Sequence, residues 1–205
     1  MKRAMTAILA LLLVAAVSHA KPQPSKRVLE VRGFRIDATY ATNQQLEAIL
    51  PALVKQLEIV DSANLPERVA KFFRTVPIVL NPASNAEYAQ VNGRWVVSLR
   101  IDSPLPENKP MVLHELLHAF HHQVLGQPTP EIARAYAEAL RKRFYPAEYA
   151  QAHFLDNEKE YFAVIGSLFL FGPIQQPPFN CAITMREQPG FVAYLNRVLG
   201  AHECR

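Results

Sequence analysis

The chain has 205 residues, 50% of them hydrophobic and 20% charged, with a formal net charge of +4. That length and apolar content fit one globular domain and exclude a disordered or fibrous chain. A balance this weakly basic gives no reason to expect a nucleic-acid partner.

The N-terminus differs in character from the rest. Lys2 and Arg3 form a basic start, Ala7 to Val17 an apolar run, and Ser18-His19-Ala20 a small-residue cleavage pattern. Together they predict a signal peptide over residues 1–20, cut after Ala20. The apolar run is short for a membrane span, so no stable membrane association is expected after cleavage. The mature chain, with a net charge of +2 once Lys2 and Arg3 are removed, is expected to be secreted or periplasmic. Residues 21–27, with two prolines, read as an extended leader, and residues 28–205 as a single domain. Two cysteines, Cys181 and Cys204, fall in what should be an oxidising compartment, where a disulfide is the default. It would tie down the C-terminal tail and stabilise the fold by about 3 kcal/mol.

Val28 to Tyr40 carries β-branched and aromatic residues around Gly33, which predicts strands joined or bent at the glycine. From Asn43, Leu46, Ile49, Leu50, Leu53, Val54 and Leu57 recur at helical spacing, with Thr42 or Asn43 as N-cap and Pro51 as a kink point. Val76 to Leu80 reads as a short buried strand. Asn92-Gly93 is a type I′ hairpin signal, pairing Glu87–Val91 with Arg94 to Ile101. In that second strand Trp95, Val97, Leu99 and Ile101 are expected on the buried face, and Arg94, Ser98 and Arg100 on the other, with Val96 partly covered. Three helices follow: Met111 to Leu125, ended by Gly126 and Pro128; Pro130 to Phe144, with cations in its last turn; and Glu158 to Phe171, apolar nearly all round and therefore buried. The elements make a mixed α+β domain, a small sheet with a hairpin packed on a helix-rich body.

The first of these helices carries His114-Glu115-Leu116-Leu117-His118. Residues i and i+4 share a helix face, so both imidazoles can point at one metal ion, with Glu115 leaning over it as a base for activated water. His121 lies two turns from His114, about 10 Å along the axis, too far to share an ion with it. His122 could pair with His118 in a shifted site, but no glutamate follows His118. His121 and His122 are therefore read as solvent-facing or supporting groups. Catalytic zinc takes three protein ligands and keeps one position open, so a third ligand must come from elsewhere. His153 to Ala163 is the candidate segment, because it sets carboxylates at the mouth of a buried helix, where an ionised side chain is costly unless paired or metal-bound. A rival reading needs no metal: Asn157 and Glu160 have the spacing of a capping box, and Glu158 suits the helix dipole.

His-Glu-x-x-His followed some forty residues later by Asn157-Glu158-Lys159-Glu160-Tyr161-Phe162-Ala163 resembles the catalytic domain of anthrax toxin lethal factor and its wider family of glutamate-ligand zinc peptidases. The resemblance spans roughly Arg94 to Phe171. It implies a zincin-like fold whose small twisted sheet holds an extended substrate at its edge strand. It implies one zinc ion on His114, His118 and Glu160, with Glu115 as general base and Glu158 as a neighbouring or capping group. The chain departs from the family at two places. Seven residues before the third ligand the family has a transition-state tyrosine, where this chain has His153; Tyr149 is a second candidate for that role. Four residues after the ligand, where the family often has another acid, stands Val164, which removes a partner for a zinc-bound histidine.

The expected function is that of a zinc peptidase acting on a peptide or protein substrate, with Arg94 to Ile101 as the strand alongside it. An amidase of cell-wall peptides is an alternative that keeps the metal chemistry. A non-catalytic zinc-binding or partner-binding domain is an alternative of another class.

Overall fold

A computed structural model of the protein describes residues 26–202 except Ser84 and Pro104. The stretch expected to be a signal peptide, most of the expected leader, and Cys204 lie outside the described residues. Cys181 is disulfide-bonded and buried.

The architecture is mixed α+β, with a five-stranded sheet in the order β1-β2-β3-β5-β4. Strands β1 (Val28–Val31) and β2 (Phe34–Asp37) form an antiparallel hairpin. Arg32 and Gly33 both take positive φ in its two-residue turn, the conformation that matches strand twist. Helix α1 (Asn43–Ser62) starts at a full capping box between Thr42 and Gln45. Helix α2 (Glu67–Thr75) follows; its Val69 and Phe73 are buried. It leads into β3 (Ile78–Asn81), which pairs parallel to β2 on one side and to β5 on the other. Strands β4 (Glu87–Val91) and β5 (Arg94–Arg100) pair antiparallel across the Asn92-Gly93 turn, in the expected register.

The sheet order overturns one expectation. Strand β5 sits between β3 and β4, so its backbone is engaged on both sides and cannot take an added strand. The edge strand on this side is β4. Central placement also changes the burial of β5: Val96 and Ser98 are as buried as Val97 and Leu99, while Trp95, expected inside, is 39% exposed near the end of the hairpin.

Helix α3 (Met111–Phe120) continues into a π-helical turn over His121–Leu125. It begins at Pro110 without a side-chain cap of its own. Buried Gln56 of α1 supplies one from a distance. Its Oε1 accepts the Val112 N–H at 3.2 Å, and its Nε2 donates to the carbonyls of Pro106 and Lys109 at 2.8 and 2.9 Å. An orphan amide at the helix start and two loop carbonyls are thereby satisfied inside the core.

Helices α4 (Pro130–Lys142) and α5 (Glu158–Phe171) complete the central layer. Every residue of α5 from Tyr161 to Leu170 is buried, as its all-round apolar pattern requires. Gly166 allows α5 to approach α3 closely, since a Cβ there would lie 3.1 Å from a methyl of Leu117. The short α6 (Ala182–Glu187) and α7 (Pro189–Leu199) close the C-terminal side. They are tied to α4 and α5 by buried polar contacts. Tyr145 OH lies 2.8 Å from Thr184 Oγ1 and 3.2 Å from Tyr161 OH, Tyr161 OH donates to Gln188 Oε1, and Gln188 Nε2 donates to the Ala135 carbonyl at 2.6 Å.

Candidate metal centre

His114 and His118 stand one helical turn apart on α3, and α5 crosses so that Glu160, in its first turn, faces both. His114 Nε2 and His118 Nε2 are 3.1 Å apart, and Glu160 Oε2 lies 3.3 Å from the first and 3.2 Å from the second. Two imidazole nitrogens and a carboxylate oxygen therefore form a nearly equilateral triangle. A tetrahedral ion with bonds of about 2.0–2.1 Å would space its donors about 3.3–3.4 Å apart, so the triangle fits a zinc-sized ion. Nitrogen lone pairs this close repel unless a proton or a cation lies between them. The three side chains are each less than one-fifth exposed.

Local structure explains why Glu160 is free to turn inward. Asn157 caps α5, its Oδ1 accepting from the amides of Lys159 at 2.9 Å and Glu160 at 3.1 Å. Of the capping box expected here only the Asn157 half forms: the side chain of Asn157 satisfies the helix end, while the carboxylate of Glu160 faces the histidines. Burial alone would raise the Glu160 carboxyl. Hydrogen bonds and charge from His114 and His118 outweigh it and hold the group well below the usual carboxylate range. Glu158 has no ion pair or hydrogen bond to the triangle.

Glu115 clusters with His114 and His118, its carboxylate oxygen within 4.8 Å of a nitrogen of each. It is only 6% exposed, and this burial pushes its carboxyl up. The charges of His114 and His118 oppose the rise, as does a backbone hydrogen bond from Tyr88 of β4. The carboxylate is thus placed between the donor triangle and the edge strand.

The two candidates for polarising a substrate oxygen are placed differently. His153 lies in a short 3-10 turn before α5, with Nε2 2.8 Å from Glu160 Oε2 and Nδ1 2.8 Å from Asp156 Oδ2. It is 58% exposed and reaches the triangle from the solvent side. Tyr149 instead packs its ring against Phe179, at 5.8 Å between centroids. Val164 is buried in α5.

His121 is neither solvent-facing nor paired with His114, His118 or Glu160. It is fully buried, tilted against the Phe162 ring at 5.2 Å, and neither ring nitrogen has a hydrogen-bond partner among the described residues. Burial pushes its imidazole down to about 4. The cause is rotational: three residues after His118 the helix surface turns toward α5, whereas four residues after it the ligand face returns. His122 occupies that returning position, but its Nδ1 faces Tyr88 OH at 3.0 Å instead of pairing with His118.

Sequence reasoning missed Asp156, Tyr88 and the exposure of Trp95. The hairpin register contained the signal for the last two. Tyr88 pairs with Val97 and Gln90 with Trp95, so both rings rise on the face that looks toward α3. No protein-family model matches the chain, and no curated protein or solved structure does.

Proposed function

We propose that the domain is a zincin-like, zinc-dependent peptidase in which His114, His118 and Glu160 hold one ion and Glu115 is the general base. The observation that carries this reading is the donor triangle, of zinc-compatible dimensions, with a buried and protonation-tuned glutamate beside it and an edge strand next to both. When bound, zinc would supply Lewis-acid activation of water and of the scissile carbonyl. Glu115 takes the proton of the attacking water and returns it to the departing amine nitrogen. His153 donates a hydrogen bond to the developing oxyanion, with Asp156 orienting its ring. A peptide segment adds to β4 in extended form. With its predicted signal peptide, the protein would act outside the cytoplasm, on peptide or protein chains or on cell-wall peptides.

One observation favours a second reading, a non-catalytic zinc domain: His114, His153 and Glu160 also present donors within 4.8 Å of one another. Four protein ligands would close the position that hydrolysis needs. A structural site has no use for Glu115, however.

The test is Glu115→Gln. Zinc content should stay at the parent's level, while kcat on an unfolded protein falls by about 10²–10⁴-fold, the range of a lost general base. Chelation should abolish the parent's activity and zinc should restore it. A variant that binds zinc and cleaves like the parent would refute the mechanism.

A further inference from the structure

Beside the donor triangle, on the side of β4, lies a cavity of about 410 Å³ with His118 and Glu160 on one wall. Tyr88, Trp95 and His122 contribute aromatic rings to it, and Gln127, Asn157 and Lys159 complete its lining. Tyr88 stacks on Trp95 at 5.0 Å between centroids, and His122 sets its ring against Trp95 at 4.4 Å. Tyr88 OH accepts from Gln123 Nε2 at 2.6 Å and lies within hydrogen-bond distance of His122 Nδ1, at 3.0 Å. Three rings from two strands and a helix end are therefore braced against one another. Trp95 is nonetheless 39% exposed. A braced aromatic surface left open to water, among polar and charged neighbours that include Lys159, can take up a ring by face or edge contact while the fixed polar groups orient what carries it.

We infer that this cavity is the specificity subsite of the enzyme, and that it takes a large aromatic side chain from the residue flanking the scissile bond on the β4 side. The inference rests on the peptidase reading. A peptide paired along β4 directs alternate side chains toward α3, the direction in which Tyr88 points from the same strand. A side chain so directed enters the cavity between Trp95 and the ligands. A small side chain there would leave the rings in contact with water and forgo that burial.

Trp95 is the only tryptophan of the chain, so its fluorescence reports on this cavity alone. The full-length mature chain carrying Glu115→Gln is loaded with zinc and titrated with peptides of one background sequence in which a single phenylalanine is walked along otherwise alanine positions. Phenylalanine at one position should tighten binding about tenfold over alanine and shift the Trp95 emission. The parent enzyme should show about the same ratio in kcat/KM, and in Trp95→Leu that ratio should shrink toward one. Cleavage without phenylalanine preference, or without any emission change on binding, overturns the subsite and leaves the peptidase standing. Position-dependent binding with an emission change but no cleavage by the parent overturns the hydrolytic reading and, with it, the assignment to a residue flanking a scissile bond, and leaves an aromatic-binding cavity. Neither binding nor cleavage overturns both.

Discussion

The two walls of the cleft are built in different ways. The donor wall consists of α3 and α5, two helices whose inner faces are almost wholly buried and whose separation is set by Gly166 against Leu117. The facing wall consists of the β4–β5 hairpin and the short turn at His153–Leu155, where Trp95, His153 and Asp156 are all substantially exposed. Ligands must be held to within a few tenths of an ångström before any ion arrives, and packed helices supply that rigidity. In the proposed peptidase substrate would enter and leave on this side, and a sheet edge with exposed side chains permits it. Under that proposal metal retention and turnover should be separable by mutation: damage to the first wall would cost the ion, and damage to the second would cost rate with the ion kept.

The largest expected effect is on the donor wall. Glu160→Ala should lower zinc affinity by more than about 100-fold, beyond the loss that a residue merely supporting a ligand would give. Equilibrium competition with a chromogenic chelator measures it. On the facing wall, His153→Phe should leave zinc stoichiometry at one and lower kcat by about 10²–10³-fold, the loss expected for an oxyanion donor. Asp156→Asn should produce a smaller fall of about tenfold, because it only loosens the ring. If His153→Phe instead released the ion, the two walls would not be functionally distinct.

Two further variants probe how the donor wall is held. Gln56→Leu strands the Val112 amide and two loop carbonyls at the start of α3, and should destabilise the fold by about 3 kcal/mol in urea denaturation. His121 gives a pH dependence. Its folded-state value near 4 lies below the ordinary 6.5, so between these limits the unfolded chain binds the proton preferentially and stability falls as pH falls. Lowering the pH of the metal-free protein from 7 to 5 should cost about 2 kcal/mol from this residue. His121→Leu should remove that portion of the slope. A variant with the parent's full pH dependence would show that His121 is not buried as a neutral group.

Much of the donor wall was legible in the sequence because its signals are local. The spacing of His114 and His118, the apolar run of α5 and the Asn157 cap each depend on residues within one or two turns. The boundaries of α5 follow directly from Asn157 and the Gly172 that ends it. The hairpin was equally local, through Asn92-Gly93. Its place in the sheet was not. That β3 inserts beside β5, burying Ser98 and leaving β4 at the edge, depends on a parallel pairing that no short pattern encodes. The same non-local cause hid His121, whose burial is decided by where α5 packs, and Gln56, whose partners lie 50 to 56 residues away in the loop before α3 and in its first turn. Helices α2, α6 and α7 were not anticipated from the sequence. They are nine, six and eleven residues long and so offer few turns over which an apolar period can show.

Zinc K-edge X-ray absorption on the zinc-loaded mature protein would read the coordination shell itself. The expected result is one ion per chain with two imidazoles, one carboxylate and a remaining light-atom position exchangeable with solvent. A third imidazole in the fit, placing His153 on the ion and closing that position, or a protein that retains no zinc, would contradict it.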